Sequence, residues 1–522
     1  MKSPFLFLVM LLAEALSAMA ALHPIPPAVG PHVTLKPSDF TESRSFRSTD
    51  HIVGTYYFYW YDAPSKGHVV NGDGTDALTT HPPTLEGLSY KSVAWHRRQL
   101  EDMTAAGIDV VLPVFWGAPS EQDSNAHLHW SYEGLPPLVE AREELLRAGK
   151  QPPRIGLFYD TSTLQYNAWH EHLDLTTARG GEWFYATVRD FFSLIPPKHW
   201  AMLDNRPIIL LYSAAFAKQH DQSFLDYARE RFPKDFGGRI PWIAREVSWH
   251  VKAESVVAWG GALGLKNPGG VASLGPGYDH SAVPGRAPLI VDRRGGAFYE
   301  EQWLKFLRRP TSFVMVETWN EWHEGTDVAE SKEYGRQYID LTRKYSALFK
   351  QGWRPPWPKG SYSDAKSVAI SLDFTNHEAG LRQILNDDGL TAPARFGGRP
   401  GHLIHSSAGN GHYVYFAVDD SFKTSNESEF RMKVEYFDLA PGALMVEFDG
   451  SDENAPFSGA YTRSPEVIKL AGSQQWHTQQ FTIKSARFTN AQNRGADLRL
   501  VVEAPEFAVA RVDLSRVGAG EK

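Results

Sequence analysis

Apolar residues along the chain follow two kinds of pattern, and the change between them divides the chain. Between residues 51 and about 350, short apolar runs typical of buried strands alternate with longer amphipathic stretches typical of helices. The last of these helices is the clearest, because its aromatic and leucine residues from Tyr334 to Leu348 keep to one face. The strand candidates are 52–61, 108–116, 154–160, 207–213, 240–249, 254–260, 269–275 and 312–319, and the helix candidates are 90–107, 134–149, 181–195, 222–232, 296–309 and 332–350.

Eight strand candidates interleaved with helices predict a (β/α)8 barrel, that is, an α/β fold, over residues 51–350. A doubly wound parallel sheet is the alternative. No Gly-x-Gly-x-x-Gly follows the first strand candidate, which removes the commonest use of that alternative, dinucleotide binding. We therefore expect the barrel.

A proline-rich linker is predicted at 351–365, after which the apolar period becomes two. From Val368 to Phe374, apolar and polar residues alternate, as in a half-buried strand, and similar runs continue without a helical pattern. Residues 366–518 are therefore predicted to form an antiparallel β-sandwich. This sandwich is interpreted as either a carbohydrate-binding module or a domain that shields the barrel. In the first case the candidate sugar platforms are Tyr413, Tyr415 and Trp476.

The first twenty residues have the features of a secretory signal. Lys2 supplies the positive start, Phe5 to Leu12 the apolar centre, and Ala18-Met19-Ala20 a cleavage site. The apolar run is too short to span a membrane. We expect residues 1–20 to direct export to the periplasm or medium without stable membrane insertion, and residues 21–50 to be a leader or linker.

Composition and charge narrow the classes of function. The chain has 16 Trp, 21 Tyr and 29 Phe, more than a core requires, and aromatic faces stack on sugar rings. A net charge of −8 without a basic cluster argues against nucleic acid as a partner. The absence of cysteine excludes disulfides, thiolate catalysis and zinc–thiolate sites. We predict no cofactor and no metal site, and no feature of the sequence defines an oligomeric state.

The strongest chemical signal lies at residues 319–326, which read Trp-Asn-Glu-Trp-His-Glu-Gly-Thr directly after an apolar run. The predicted strand ends there, where barrel enzymes carry their catalytic residues. Paired carboxylates among aromatic residues are typical of enzymes that break glycosidic bonds. A lone Glu-x-x-Glu would be a solvated loop, but two tryptophans and an asparagine around Glu321 and Glu324 favour a site.

Two further motifs lie upstream, Gly-Pro-Gly-Tyr-Asp at 275–279 and Asp-Arg-Arg-Gly-Gly-Ala-Phe-Tyr-Glu at 292–300. In this order and spacing, these two motifs and the motif at 319–326 resemble glycoside hydrolase family 99, which contains the endo-α-1,2-mannosidases. The chain looks like a divergent relative of the family 71/99-like group. The aromatic run 56–61 and the second strand fit the same family. The resemblance covers roughly residues 50–350.

This resemblance implies retaining cleavage of an α-linked glycan. Glu321 would act as the base on the sugar's own 2-hydroxyl, and Glu324 as the general acid/base. In a plain double displacement Glu321 would instead be the nucleophile. Either mechanism requires a protonated Glu324 at the start, so we expect its pKa to be raised by burial against Trp319 or Trp322.

The chain also departs from the family. The third strand, from Gly156 to Ser162, lacks the family's histidine and lysine, and residues 258–260 read Ala-Trp-Gly where the family carries a tyrosine. The resemblance therefore implies the catalytic residues but not the preference for mannose. The candidates for a rebuilt sugar pocket are Asp160, Trp249 and Trp259. The alternatives are a loop cap for Asp160 and core packing for the two tryptophans.

Other residues are candidate sugar contacts with alternatives of their own. Tyr57 and Tyr61 share a face of the first strand and either bind sugar or pack the barrel interior. Arg293 binds an anionic or hydroxyl group or pairs with Asp292, and Asn320 bonds a sugar hydroxyl or holds the two glutamates. The candidate platforms at strand ends are Trp116 and Tyr278, and the remaining candidates are Trp319 and Trp322.

Two alternative functions remain. One is a non-catalytic carbohydrate-binding protein on the same barrel, and the other is a glycosyltransferase-like relative, which the predicted export disfavours because nucleotide-sugar donors are cytoplasmic. A metal site is not indicated, since His170-Glu171-His172 lacks the His-Glu-x-x-His spacing. Residues 71–76 resemble a calcium loop without the EF-hand spacing and are interpreted as a loop over the barrel mouth.

Overall fold

The computed structural model of the protein describes residues 25–117, 129–167, 170–287, 289–385, 388–404, 412–423, 428–452, 454–457 and 459–517. The predicted signal segment 1–20 lies outside these residues. Within them, no helix is long and apolar enough to cross a membrane.

Eight parallel strands close into a barrel, which confirms the predicted fold. The strands pair in chain order, and the first strand also pairs with the last, with Ile52 opposite Phe313, so the sheet has no open edge. The strands are β1 (Ile52–Tyr57), β2 (Val110–Phe115), β3 (Leu157–Tyr159), β4 (Arg206–Leu211), β5 (Trp242–Glu246), β6 (Ser255–Val257), β7 (Val271–Leu274) and β8 (Phe313–Val316).

Helices surround this barrel. The first of them shows why they form where they do: the Ser92 side chain caps its start by accepting a hydrogen bond from the Trp95 N–H, and Gly107 ends it in the left-handed conformation. Residues 247–254 and 258–270, which connect β5 to β6 and β6 to β7, form turns and loops and no α-helix. The helices are α1 (Val93–Ala106), α2 (His129–Glu133), α3 (Leu135–Arg147), α4 (Ala178–Ser193), α5 (Ser223–Asp235), α6 (Ala297–Arg308) and α7 (Gln337–Lys350).

Short elements complete the barrel domain. The 3-10 turns are Pro37–Phe40, Thr161–Leu164, Pro197–His199, Ala214–Phe216, Gly261–Leu263, Arg294–Gly296 and Trp322–Glu324. The two-residue strands are Arg154–Ile155, Met202–Leu203, Tyr278–Asp279 and Ile290–Val291.

Residues 25–50 pack against the barrel, although they are predicted to be a leader or linker. The His32 N–H donates to the Ser193 carbonyl oxygen at 2.9 Å, and Phe40 is buried against the Trp200 ring at 5.3 Å. The apolar residues of this arm dock individually onto helices and loops, which explains why the arm shows no sequence period.

The C-terminal region forms two antiparallel sheets, as predicted, with a hydrophobic core separate from that of the barrel. A further 3-10 turn lies at Asn493–Gly495. The first sheet contains β9 (Ser367–Ser371), β10 (His377–Ala379), β12 (Thr391–Phe396), β13 (Arg399–Ile404), β15 (Ser428–Phe437), β19 (Trp476–Ala486) and β21 (Ala508–Arg516), and the second contains β11 (Leu381–Ile384), β14 (His412–Val418), β16 (Pro441–Phe448), β17 (Thr462–Arg463), β18 (Ile468–Ala471) and β20 (Leu498–Glu503).

The sandwich contacts the barrel at the amino-terminal side of the barrel strands. Arg309, which follows α6, donates to the carbonyl oxygen of Arg487, and Lys305 lies 3.7 Å from Asp420. Since α6 ends just before β8 begins, these contacts lie on the side opposite the carboxyl ends of the strands. The sandwich therefore leaves that end of the barrel open.

The three candidate sugar platforms of the sandwich contact other residues of the sandwich. The Tyr415 side chain is fully buried, and its hydroxyl donates to Asp388 at 3.0 Å. The Tyr413 ring carries the Arg499 guanidinium at 3.8 Å, and the Trp476 ring carries that of Arg399 at 4.6 Å. Tyr415 is therefore a core residue of the sandwich, whereas Tyr413 and Trp476 are half-buried.

Candidate active site

A cleft of about 1240 Å³ lies at the carboxyl ends of the barrel strands. Its lining follows from the barrel itself, because several strands are followed at once by a side chain that enters the cleft: Trp116 follows β2, Asp160 follows β3 and Tyr212 follows β4. The cleft thus occupies the position where barrel enzymes carry their active sites. Its carboxyl groups are those of Asp62, Asp160, Glu317, Glu321 and Glu324.

The aromatic residues of the cleft form two groups. The Trp60 cluster consists of Trp60, Trp116 and Trp130, with ring centroids 6.0 Å apart for Trp60–Trp116 and 5.6 Å apart for Trp60–Trp130. The Trp259 cluster consists of Phe158, Tyr212 and Trp259; its Phe158 and Trp259 rings stack at 5.5 Å with planes 11° apart. The partly exposed rings of the two clusters are those of Trp116, Tyr212 and Trp259, and they lie in the same cleft as the carboxyl groups, an arrangement suited to sugar rings.

Glu321 begins the turn Trp322–Glu324 and is almost completely buried. Its Oε1 lies 2.9 Å from His323 Nδ1, while Nε2 of the same ring faces the His68 carbonyl oxygen at 2.7 Å. A carbonyl oxygen only accepts hydrogen bonds, so Nε2 carries a proton. A second proton, on Nδ1, makes the ring a cation beside Glu321.

Burial and the interaction between Glu321 and His323 together set the pKa values of this pair. Burial raises the pKa of Glu321, although the His323 charge opposes the rise. Burial alone would lower the pKa of His323, but the charge and hydrogen bond of Glu321 outweigh it and raise the pKa. His323 therefore offsets part of the cost of ionising Glu321 in a buried place. Glu321 Oε2 has no hydrogen-bond partner among the described residues.

Glu324 has different surroundings from those predicted. Its Oε1 accepts a hydrogen bond from Arg286 Nη1 at 2.8 Å, and the Tyr278 hydroxyl is a further hydrogen-bonding neighbour. Burial and the nearby Glu324 charge raise the pKa of Tyr278. The predicted burial against Trp319 or Trp322 does not occur, since both tryptophans lie in the core. The more buried carboxyls of the cleft are Glu317 and Glu321.

Glu317 is absent from the sequence-predicted site, yet it lines the cleft directly after β8. Only 1% of its surface is exposed, and this burial raises the pKa of its side chain to about 7. Its Oε2 accepts a hydrogen bond from the Gly260 N–H at 3.0 Å. One signal could have found it, because a charged residue at the end of a predicted barrel strand has the same position as Asp160 on β3.

Asp160 both caps a turn and lines the cleft, so both of the alternatives predicted for it apply. Its Oδ1 accepts hydrogen bonds from the Ser162 N–H at 3.0 Å and Oγ at 2.5 Å, which begins the turn Thr161–Leu164. Its Oδ2 accepts one from Trp116 Nε1. Burial raises the pKa of Asp160. The carboxyl thereby fixes the orientation of the Trp116 ring.

The first strand places its aromatic residues opposite to the predicted faces. Tyr57 and Tyr61 do share one face, but it points towards the helices: the Tyr57 hydroxyl lies 3.0 Å from His96 Nδ1 on α1. The alternate residues Phe58 and Trp60 enter the cleft. Tyr61 instead supports the loop that carries Glu321 and Glu324, because its hydroxyl accepts a hydrogen bond from the Trp322 N–H at 3.0 Å.

Three predicted tryptophans are core residues. Trp249 Nε1 donates to the Tyr212 carbonyl oxygen at 2.5 Å and its ring packs on Phe224, which places it behind the cleft wall. Trp319 Nε1 donates to Gln99 Oε1 at 2.7 Å on α1. Trp322 is 1% exposed and packs against Tyr61. None of the three lines the cleft, because each turns towards the helices that cover the barrel.

Asn320 and Arg293 hold the loop that carries Glu321 and Glu324, and neither lines the cleft. Asn320 Oδ1 accepts the Phe58 N–H at 2.8 Å, and its Nδ2 donates to the Phe58 carbonyl oxygen at 2.7 Å. Arg293 bonds the Gly325 and Asp327 carbonyl oxygens and the Asp327 carboxylate, not Asp292. The positions of Glu321 and Glu324 thus depend on buried contacts on both sides of the loop.

Asn320→Asp is expected to lower the free energy of unfolding by about 2 kcal/mol, because the carboxylate keeps the acceptor but loses the donor to the buried Phe58 carbonyl. Urea unfolding at neutral pH measures the change. Asn205→Asp, at an exposed side chain, is the matched control and is expected to change stability little. Equal stability of both variants would contradict a stabilising role of the two hydrogen bonds between Asn320 and Phe58.

The other loop features are local. The Asn71 side chain donates to Thr75 and Asp76, and the Asp73 carboxylate accepts from Thr75, so residues 71–76 form a closed turn at the cleft rim. Among the residues that the structure describes, no group of three His, Asp or Glu side chains is arranged to hold a metal ion.

A sequence profile of a family described as "Domain of unknown function (DUF5010)" matches residues 37–370, more than half of the chain. The chain belongs to this family. The DUF5010 match starts in the arm that packs on the barrel, contains the whole barrel and ends within β9. No curated protein matches the chain at a significant level.

Several solved structures resemble this DUF5010 protein distantly. A family 99 endo-α-mannosidase from Bacteroides thetaiotaomicron has 14% identity and a TM-score of 0.41, covering 58% of this chain and 98% of its own. A glycoside hydrolase-like protein has 16% identity and a TM-score of 0.39, with coverage of 63% and 100%. A variant of the family 29 carbohydrate-binding module CBM29-2 has 10% identity and a TM-score of 0.20, with coverage of 29% and 92%.

These neighbours are glycoside-hydrolase-like or carbohydrate-binding proteins, whereas family membership is shown for DUF5010. At such identities and TM-scores the likeness carries no argument about activity, and membership in family 99 stays a prediction.

Proposed function

We propose that this DUF5010 protein is a retaining glycoside hydrolase that cleaves an α-linked glycan with Glu321 and Glu324. The observation that carries the proposal is that these two carboxyls, from one loop, enter the same cleft beside two aromatic clusters. The charge of Glu324 is felt by Glu321, since it raises the pKa of Glu321 further after burial. Paired carboxyls in such a setting serve glycosidic bond cleavage.

Glu321 is proposed as the group that acts on the sugar. Its Oε1 is held by His323, which leaves Oε2 to take the proton of the 2-hydroxyl or to attack the anomeric carbon. Both roles require the ionised form, which the adjacent imidazolium favours. His323 therefore compensates the burial that would otherwise keep Glu321 protonated.

Glu324 is proposed as the acid/base. It gives its proton to the leaving oxygen and then removes a proton from the water that completes hydrolysis, which retains the configuration. In the free protein Arg286 occupies its Oε1, and the Arg286 side chain is 51% exposed on a surface loop. We propose that the entering glycan displaces this arginine, because Arg286 occupies the carboxyl oxygen that has to reach the leaving oxygen of the glycan.

The first test is a reducing-end assay on α-mannans, α-glucans and bacterial polysaccharides, with a β-linked glucan as the control. Release from an α-linked polymer alone supports the proposal. Retention of a polymer without cleavage indicates a carbohydrate-binding protein on the same barrel. We also propose that the protein is exported, on the features of residues 1–20.

Arg286→Gln is expected to lower the KM for the glycan severalfold, because the entering sugar no longer has to displace a guanidinium from Glu324 Oε1. Steady-state kinetics on the polymer that wild type cuts measure KM and kcat separately. Arg294→Gln, at an exposed arginine paired with Glu301, should leave both unchanged. A KM that rises in Arg286→Gln would mean that Arg286 binds the glycan and is not displaced by it.

A further inference from the structure

Glu317 forms part of a built pocket at the end of β8. The turn that holds it runs from Trp259 to Ala262: the Gly260 N–H bonds Oε2 at 3.0 Å, and the backbone amides of Gly261 and Ala262 also favour its charge. The backbone here is close-packed, because a Cβ on Gly261 would lie 2.5 Å from the Leu274 nitrogen. The carboxyl and the Trp259 ring are therefore set by one rigid turn.

The second oxygen of this carboxyl differs from the first. Glu317 Oε1 is buried and has no hydrogen-bond partner among the described residues, although the residue lines the cleft. Since Oε2 accepts the Gly260 N–H, a proton on Glu317 has its place on Oε1. A buried oxygen without a partner can take part in a hydrogen bond that a ligand brings.

The neighbours of Glu317 do not supply a strong counter-charge. Tyr56 on β1, Tyr212 after β4 and Glu246 on β5 surround it, with Ser273 on β7, and the half-buried Lys266 is the nearby cation. Burial, and after it the charges of nearby carboxylates including Glu317, raise the pKa of both tyrosines, which therefore stay neutral near pH 7. Glu317 itself, with a pKa raised by burial to about 7, is half protonated there.

We propose that Glu317 is a sugar-binding residue, whose Oε1 bonds a hydroxyl of the glycan ring that stacks on Trp259. The inference rests on the proposed function and adds a third carboxyl to it. Glu317 contacts substrate without taking part in bond cleavage. A neutral carboxyl gives this subsite both a donor and an acceptor, which suits a hydroxyl and avoids a bare charge against the ring.

The test uses the full chain with Glu317→Gln and Glu317→Ala, and Glu246→Gln as the matched control at a buried carboxyl that does not line the cleft. Glutamine keeps a donor and an acceptor, so Glu317→Gln should bind α-mannan or dextran in affinity electrophoresis within about threefold of wild type. Glu317→Ala should bind about tenfold more weakly, the usual order for one lost hydrogen bond in a desolvated site. Equal binding by Glu317→Ala and wild type would overturn the sugar contact.

A second readout needs no glycan. The pKa of Glu317 is raised on folding, so its stabilising contribution is complete below about pH 4.5 and is lost as pH rises through about 7. The thermal midpoint of wild type should therefore fall relative to Glu317→Gln between pH 5 and 8, and Glu246→Gln should still show this fall. Parallel curves for wild type and Glu317→Gln would overturn the protonated state.

The two readouts separate this inference from the function on which it rests. If wild type binds none of the glycans, the proposed function fails and the sugar contact fails with it. The midpoint curves still report in that case whether Glu317 holds a proton in an otherwise unexplained cleft.

Discussion

Glu324→Gln and Glu321→Gln should each reduce glycan hydrolysis by about 10²-fold or more, the usual order for losing a positioned acid, base or nucleophile. Glutamine keeps the size of either side chain but can neither give a proton nor attack carbon. The reducing-end assay on the polymer that wild type cuts measures both losses. Glu301→Gln, at an exposed glutamate on α6, is the control and should keep wild-type activity.

An activated leaving group separates the two roles. A dinitrophenyl glycoside needs no proton on its leaving oxygen, so the loss in Glu324→Gln should be much smaller on that substrate than on the polymer. Glu321→Gln should remain inactive on both, because the base or nucleophile is still required. Full polymer hydrolysis by either variant would contradict the assignment of these two carboxyls.

Binding should survive in both variants. The two aromatic clusters and the other carboxyls are unchanged, so affinity electrophoresis should show glycan retention close to that of wild type. A loss of binding equal to the loss of hydrolysis would mean that Glu321 and Glu324 hold the glycan and do not cleave it.

The barrel and the motif at 319–326 could be predicted because both produce local patterns in the sequence. Each strand was visible as an apolar run, and the motif at 319–326 stands directly after one of them. The phase of the first strand could not be predicted, since residues 56–61 are all aromatic and either face could be buried. Only the packing of Tyr57 against His96 on α1 decides which face enters the cleft.

Residues whose partners are distant in sequence were harder to interpret. Arg293 has Asp292 beside it, yet it bonds Asp327, which the fold brings close from a different loop. The backbone partner of Glu317, Gly260, also lies on another loop of the barrel. Arg286 lies on a surface loop with no motif, and only the closed barrel sets it against Glu324. A sequence pattern reports the environment of a residue along its own element and not such contacts between elements.

Arg293→Met should lower the free energy of unfolding of the barrel by about 3–5 kcal/mol, the cost of leaving one partner of a buried ion pair alone. Arg293 and Asp327 are 6% and 0% exposed in their side chains, and their atoms are 2.8 Å apart. The guanidinium also lies 4.3 Å from the Tyr334 ring and 4.6 Å from the Tyr338 ring. Methionine retains apolar contact with these rings but leaves the Asp327 charge buried without its cation.

Chemical unfolding followed by tryptophan fluorescence measures the loss, because all of the 16 tryptophans except Trp476 precede residue 366 and the signal therefore reports mainly the barrel. Arg294→Met is the matched control, next in sequence and exposed, and should change stability by less than about 0.5 kcal/mol. If Arg293→Met unfolds with the control, the buried pair does not stabilise the loop.

A double variant separates charge burial from loop positioning. Asp327→Asn added to Arg293→Met removes the orphaned charge and can still accept the hydrogen bond from Thr80, so part of the lost stability should return. Activity should not return with it, because no side chain then holds the carbonyl oxygens of Gly325 and Asp327 directly after Glu324. Recovery of both together would mean that Arg293 affects the site only through stability, whereas recovery of stability alone would make it a positioning residue for the acid/base.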